Sequence, residues 1–161
     1  MRGWKKSVSV TTRSTMPTIR VFMDTSALLA AIASEKGGAA EILRLAEVGQ
    51  VEVLVSRQVV TEAERNIRRK LPGGLPFFRE ALAPILKLVP DPPLETVEEC
   101  EGIISSPADA PILAAAMVAQ VDYLVTLDRK HFIDDPTVAE KSGLHIGTPG
   151  DFLTWFRSKL L

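Results

Sequence analysis

The chain has 161 residues, with 19 Lys+Arg against 20 Asp+Glu, 46% hydrophobic and 24% charged. Those proportions suit one globular domain with a proper core and exclude collagen-like, coiled-coil and largely disordered chains. No apolar run approaches the ~18 residues needed to span a bilayer. The lone Cys100 can make neither an internal disulfide nor a cysteine-based zinc site, so a reducing cytoplasm is the expected home.

Charge is unevenly placed along the chain. Arg2, Lys5, Lys6 and Arg13 face no acid within residues 1–15, which leaves the remainder net acidic. An acidic body does not attract nucleic acid by bulk charge, so action on a polyanion would need positive charge supplied at the site. Residues 1–18 carry no hydrophobic periodicity and no continuous apolar stretch of the secretory type. They read as a flexible basic tail, or as sequence upstream of a natural start at Met16, in preference to a transit peptide. Residues 19–161 are then expected to form a single domain.

Ile19 to Met23 is short, mostly apolar and strand-like, and it ends in Asp24. Thr25 to Ala33 is Ala/Leu-rich and helical; Gly37-Gly38 breaks the chain before a second helix over Ala39–Val48. Val51 to Val55 is β-branched. Val59, Val60, Ala63, Ile67 and Leu71 follow helical spacing until Pro72-Gly73-Gly74. Pro76 to Leu88 predicts a further helix, and a proline-rich connector leads to an acidic helix near Glu95–Ile104. Pro111 to Gln120 is strongly helical. Tyr123 to Leu127 is the clearest buried strand and is followed by Asp128. Leu144-His145-Ile146 predicts a last strand before a helix from Pro149 onward. Strands alternating with helices, without hairpin turns, predict a parallel sheet covered on both faces. Ligands of such sheets bind beyond the carboxyl ends of the strands, where two aspartates stand here.

Most of the acids have ordinary explanations. Asp151 in Thr148-Pro149-Gly150-Asp151 is a helix start, Asp122 a turn residue, and Asp134-Asp135 open a short helix before Pro136. Glu95, Glu98, Glu99 and Glu101 form a solvated helix face. Four acids fit such readings less well when taken together. Asp24 and Asp128 end strands, Asp109 precedes the helix at Ala110-Pro111, and Glu62 flanks an apolar helix stripe. Each has an alternative: helix capping for Asp24 and Asp109, a polar strand terminus for Asp128, and for Glu62 an ion pair with Arg65 or Arg69 worth ~0.3–0.5 kcal/mol. Jointly, clustered carboxylates stay ionised only around cations. An oxygen-only set selects Mg²⁺ or Mn²⁺ over zinc and suits phosphodiester chemistry.

On these residues the sequence resembles the PIN-domain ribonucleases, the fold of VapC-type toxins of prokaryotic toxin–antitoxin pairs. The resembling stretches are Met23–Leu29, Ser56–Glu62, Asp109–Ala116, Leu124–Phe132 and Gly147–Leu153, in the family's order. The resemblance implies an α/β fold, a three-layer α/β/α sandwich around a mainly parallel sheet. It implies a Mg²⁺- or Mn²⁺-dependent endoribonuclease whose acidic quartet matches Asp24, Glu62, Asp109 and Asp128, with Ser26 supporting the first aspartate. It also implies an RNA substrate, a homodimer and a small antitoxin partner. The basic N-terminal extension and the proline-broken segment over Leu71–Pro93 depart from the family pattern.

Substrate contacts are assigned to Arg65 and Arg69 on the Glu62 helix, where Arg68 and Lys70 extend the basic patch, and to Arg129 and Lys130 beside Asp128. The alternative for the first group is favourable placement of bases at a helix C-terminus. His131 is open to a metal-ligand or general-base role; His145 reads as structural. Phe77, Phe78, Leu82, Ile85 and Leu86 form a stripe that suits core packing or an interface. A dehalogenase-type nucleophile would need a second Asp where Ser26 stands, a receiver domain would need paired acids in the first loop, and no glycine-rich phosphate loop is present. The rival of a different class is a non-catalytic PIN-like module for RNA binding or assembly.

Overall fold

Ile19–Met23 forms strand β1, whose last three residues are fully buried. A strand apolar on both faces belongs in the middle of a doubly covered sheet, and β1 lies there. The computed structural model describes residues 18–161. The expected N-terminal tail, Thr18 apart, lies outside the described residues. Val51–Val55 (β2), Lys87–Leu88 (β3), Tyr123–Val125 (β4) and His145–Gly147 (β5) complete a five-stranded sheet in the order β3-β2-β1-β4-β5. Every pairing is parallel, with Phe22 of β1 set between Leu54 and Leu124.

The helices are α1 (Thr25–Ala33), α2 (Gly38–Glu47), α3 (Arg57–Lys70), α4 (Leu75–Phe77), α5 (Leu94–Glu101), α6 (Ala110–Val118), α7 (Pro136–Ser142) and α8 (Pro149–Lys159). The chain steps from β1 to β2 to β3 in one direction, then returns across the sheet to β4 and β5. Right-handed crossovers therefore place the two sets of connections on opposite faces. Accordingly α1 packs on α2 and α3, α2 packs on α8, and α5 packs on α6. The result is an α/β/α sandwich, with Phe22, Phe78, Phe132 and Phe152 among its fully buried side chains. The strand order reverses between β1 and β4, so the crevice of the fold opens beyond their carboxyl ends.

Local chemistry sets many of the element boundaries. Ser56 opens α3 by accepting from the Val59 N–H, and Asp135 opens α7 by accepting from the Thr137 N–H. Thr148 and Asp151 form a reciprocal capping box with Pro149 in the first turn of α8. The Asp122 carboxylate accepts from the Arg20 N–H at 2.8 Å, which ties the turn before β4 to β1.

Two segments differ from the sequence expectation. The helix expected over Pro76–Leu88 is broken into α4, a wide turn at Phe78–Leu82 and a tight turn at Ala83–Ile85, after which the chain extends into β3. Pro84 has no N–H to continue a helix, and the Ala83 N–H reaches back five residues to Phe78. Phe78 and Leu82 enter the core, whereas Phe77 is half-exposed beside Ala31 and Leu43, in a groove between this segment and helices α1 and α2. The strand expected over Tyr123–Leu127 stops at Val125, although the Thr126 N–H still donates to Gly147 at 3.0 Å. Leu127 is exposed, and Asp128 lies beyond the strand end instead of terminating it.

Candidate functional site

Asp24 follows β1 directly and is only 5% exposed. Its Oδ1 accepts from the Ala27 N–H at 3.0 Å, capping α1, and from the Ser26 hydroxyl at 2.7 Å. Its Oδ2 accepts from the Thr126 hydroxyl across the β1–β4 pair. Three donors meet a carboxylate with about four acceptor positions. Burial pushes this carboxyl above the ordinary range; the three hydrogen bonds oppose the shift and the charge of Asp109 adds to it.

Two hydroxyls tie the ends of β1 and β4 together. Ser26 Oγ, besides donating to Asp24, accepts from the Leu127 N–H at 3.0 Å. Thr126 Oγ1, besides donating to Asp24, accepts from the Asp128 N–H at 2.9 Å. Asp128 then folds the chain over itself: its Oδ1 accepts from the His131 N–H at 3.0 Å, which opens a wide turn at Arg129–Ile133. Its Oδ2 lies 2.9 Å from His131 Nδ1.

Asp109 stands at the start of α6, but its side chain makes no cap bond. Its carboxyl is half-buried and is raised by that burial and by the charges of Asp128 and Glu62; Ser106 and His131 pull it the other way. Glu62 projects from α3, where Oε1 accepts from the Thr25 hydroxyl at 2.9 Å and Oε2 from the Gln58 amide at 3.0 Å. The same Gln58 amide donates at 3.1 Å to the carbonyl of Ala108, next to Asp109. Gln58 thus fastens the two carboxylate-bearing helices to each other.

The four acids singled out from the sequence are therefore joined by hydrogen bonds or by mutual charge at the switch point of the sheet. They are not equivalent. A carboxylate oxygen of Asp109, one of Asp128 and a ring nitrogen of His131 lie within 4.8 Å of one another, a spacing that one metal ion can bridge. Asp24 and Glu62 sit outside this trio, each held by hydroxyl or amide donors. Among the described residues, no lysine or arginine lies within ion-pair distance of Asp24, Glu62, Asp109 or Asp128. A carboxylate cluster without a protein cation, with a histidine nitrogen beside it, fits a divalent ion.

The model of the family described as PIN domain matches residues 20–130, more than two thirds of the chain. The chain belongs to the PIN-domain family. Three solved structures resemble this PIN domain in fold. PAE2754 from Pyrobaculum aerophilum has a TM-score of 0.57 and 19% identity, over 87% of this chain and 96% of that one. VapBC2 from Rickettsia felis, bound to a DNA fragment from their promoter, has 0.60 and 17%, over 80% and 97%. FitAcB from Neisseria gonorrhoeae has 0.55 and 13%, also over 80% and 97%. A comparison of the sequence with curated proteins finds no match. No helix among the described residues of this PIN domain is long and apolar enough to cross a membrane.

Thr25, whose sequence position suits helix capping, and Gln58 and Thr126 are site residues that the sequence alone does not single out. Their signal is proximity in sequence, since each lies within four residues of one of the acids. The basic residues assigned to substrate are exposed, and some have protein partners. Arg69 donates to Asn66 at 3.0 Å and Arg129 pairs with Asp134 at 3.8 Å. Arg65 and Lys130 are exposed without an ion pair among the described residues. His145 on β5 stacks on Tyr123 and packs at a tilt against Trp155, a packing role.

Proposed function

We propose that this PIN domain is a Mg²⁺- or Mn²⁺-dependent endoribonuclease, the toxin of a toxin–antitoxin pair, with residues 19–161 as its single nuclease domain. The observation that supports this reading is the gathering of four acids from the end of β1, α3, the start of α6 and the loop after β4, with no lysine or arginine among the described residues paired to them. A divalent ion held there supplies polarisation of water and neutralisation of the non-bridging phosphate oxygens, which an acidic pocket needs to accept RNA.

Asp24, Asp109 and Asp128 are assigned to hold the ion, Asp24 presenting the acceptor position that its three donors leave. Glu62, fixed by Thr25 and Gln58, is assigned to a second ion or to orienting the attacking water for in-line displacement. Ser26 keeps Asp24 oriented. Arg65, Arg69, Arg129 and Lys130 are assigned to backbone phosphates, a sequence-independent contact that weakens with salt. A small antitoxin and a second copy of this chain are the proposed partners; among the fold relatives, VapBC2 carries a two-component name.

The test is cleavage of single-stranded RNA by the purified protein. Asp24→Asn and Asp109→Asn should each abolish metal-dependent cutting while the circular dichroism spectrum is unchanged, and the products should carry 5′-phosphate and 3′-hydroxyl ends. Full activity in either variant would refute the assignment and favour the non-catalytic binding or assembly module.

A further inference from the structure

We propose that His131 is itself a ligand of the divalent ion and that its nitrogen tilts the site towards Mn²⁺ over Mg²⁺. The proposal rests on the metal-nuclease reading above and names the donor set and metal preference of that same site. Three consecutive bases, Arg129, Lys130 and His131, follow Asp128, and only the third turns inward. Arg129 pairs with Asp134 and Lys130 is exposed, whereas His131 Nδ1 lies 2.9 Å from Asp128 Oδ2 and 3.9 Å from Asp109 Oδ2. The wide turn at Arg129–Ile133 produces that inward aim, with Asp128 gripping the His131 N–H and Phe132 anchored in the core beside it.

The spacings suit ligation. Bonds of about 2.1 Å to an octahedral ion put adjacent ligand atoms about 3 Å apart and opposite ones about 4.2 Å apart. The 2.9 Å separation from Asp128 matches adjacent positions, the 3.9 Å separation from Asp109 is closer to opposite ones, and the whole trio lies within 4.8 Å. The partners of Asp128 lie within the trio, since both its oxygens face His131, whereas Asp24 and Glu62 are engaged by hydroxyl, amide and backbone donors from outside it. Mg²⁺ holds to oxygen ligands and gives up water reluctantly, whereas imidazole binds first-row transition ions. One imidazole added to the aspartate oxygens therefore ranks Mn²⁺ above Mg²⁺. The competing role is a hydrogen bond from Nδ1–H that merely orients Asp128, and it carries no such preference.

Pulsed electron paramagnetic resonance of the full chain titrated with Mn²⁺ separates the two. The expected spectrum shows ¹⁴N couplings that convert to ¹⁵N couplings when histidine is labelled, a readout on the unaltered protein. The chain's other histidine, His145, packs against aromatic rings at β5. His131→Ala should lose the coupling and weaken Mn²⁺ binding roughly tenfold relative to Mg²⁺. Saturable Mn²⁺ binding that Asp109→Asn removes but that shows no nitrogen coupling, or an Mn²⁺/Mg²⁺ affinity ratio unchanged in His131→Ala, would overturn the proposal and leave an all-oxygen metal nuclease. Absence of Mn²⁺ binding altogether would overturn both this proposal and the reading beneath it.

Discussion

Thr126 joins two of the acids through one oxygen, donating to Asp24 and accepting from the Asp128 N–H. Valine has nearly the same shape without the hydroxyl, so Thr126→Val leaves Asp24 a donor short and frees the Asp128 backbone. RNA cleavage should fall ~10–100-fold, the usual consequence of removing a residue that orients a ligand, with the melting curve still cooperative. Unchanged cleavage would separate Asp24 from the chemistry. The shifted carboxyls make a second prediction. Burial first, and neighbouring charge second, raise Asp24 and Asp109 above the ordinary range. Over the interval between the ordinary and the raised values, the folded protein keeps protons that the unfolded chain has lost. Stability of the metal-free protein therefore falls as pH rises through that interval and stays lowered at neutral pH. Melting in EDTA at pH 7 should accordingly give a higher Tm for Asp109→Asn than for the wild type, with the order reversing when Mn²⁺ is added. Asp24 and Asp109 were visible in the sequence because acids at strand and helix ends point to the crevice of an α/β sheet. Thr126 was not, since a hydroxyl at a strand end is usual and its bond to Asp24 crosses from the end of β4 to the end of β1.

At the scale of elements, β4 and β5 meet where space is tightest. A Cβ on Gly147 would lie 2.8 Å from the Asp151 Cβ and also press on the Tyr123 hydroxyl. Gly147→Ala should thus cost ~1–3 kcal/mol of stability, read as a lower urea midpoint at constant m-value. The broken segment between α3 and β3 carries a further test. Phe78 is fully buried there, so Phe78→Ala should lose ~3–5 kcal/mol, whereas Phe77→Ala, at a half-exposed position, should lose much less. Equal effects would contradict the register of that turn. Helical periodicity over Phe77, Phe78, Leu82, Ile85 and Leu86 masked these breaks, because wide and tight turns share much of a helix's spacing. Strand β3, two residues long and paired on one side, left too short an apolar pattern to read.

For the whole molecule, alternation of strand and helix was enough to announce a parallel sheet, since hairpin turns are absent from the sequence and crossovers have one preferred hand. The order β3-β2-β1-β4-β5 follows from where the chain reverses, and that reversal lines up β1 and β4 with their acids at one end. What the alternation does not carry is the convergence of α3 and α6 on the same point, which depends on Gln58 reaching both Glu62 and the Ala108 carbonyl. Metal-dependent cleavage depends on those elements building one cation site. Calorimetric titration of the metal-free protein with Mn²⁺ tests it most directly. Saturable binding that is lost in both Asp24→Asn and Asp109→Asn is the predicted result; no saturable binding to the folded wild-type protein would contradict it.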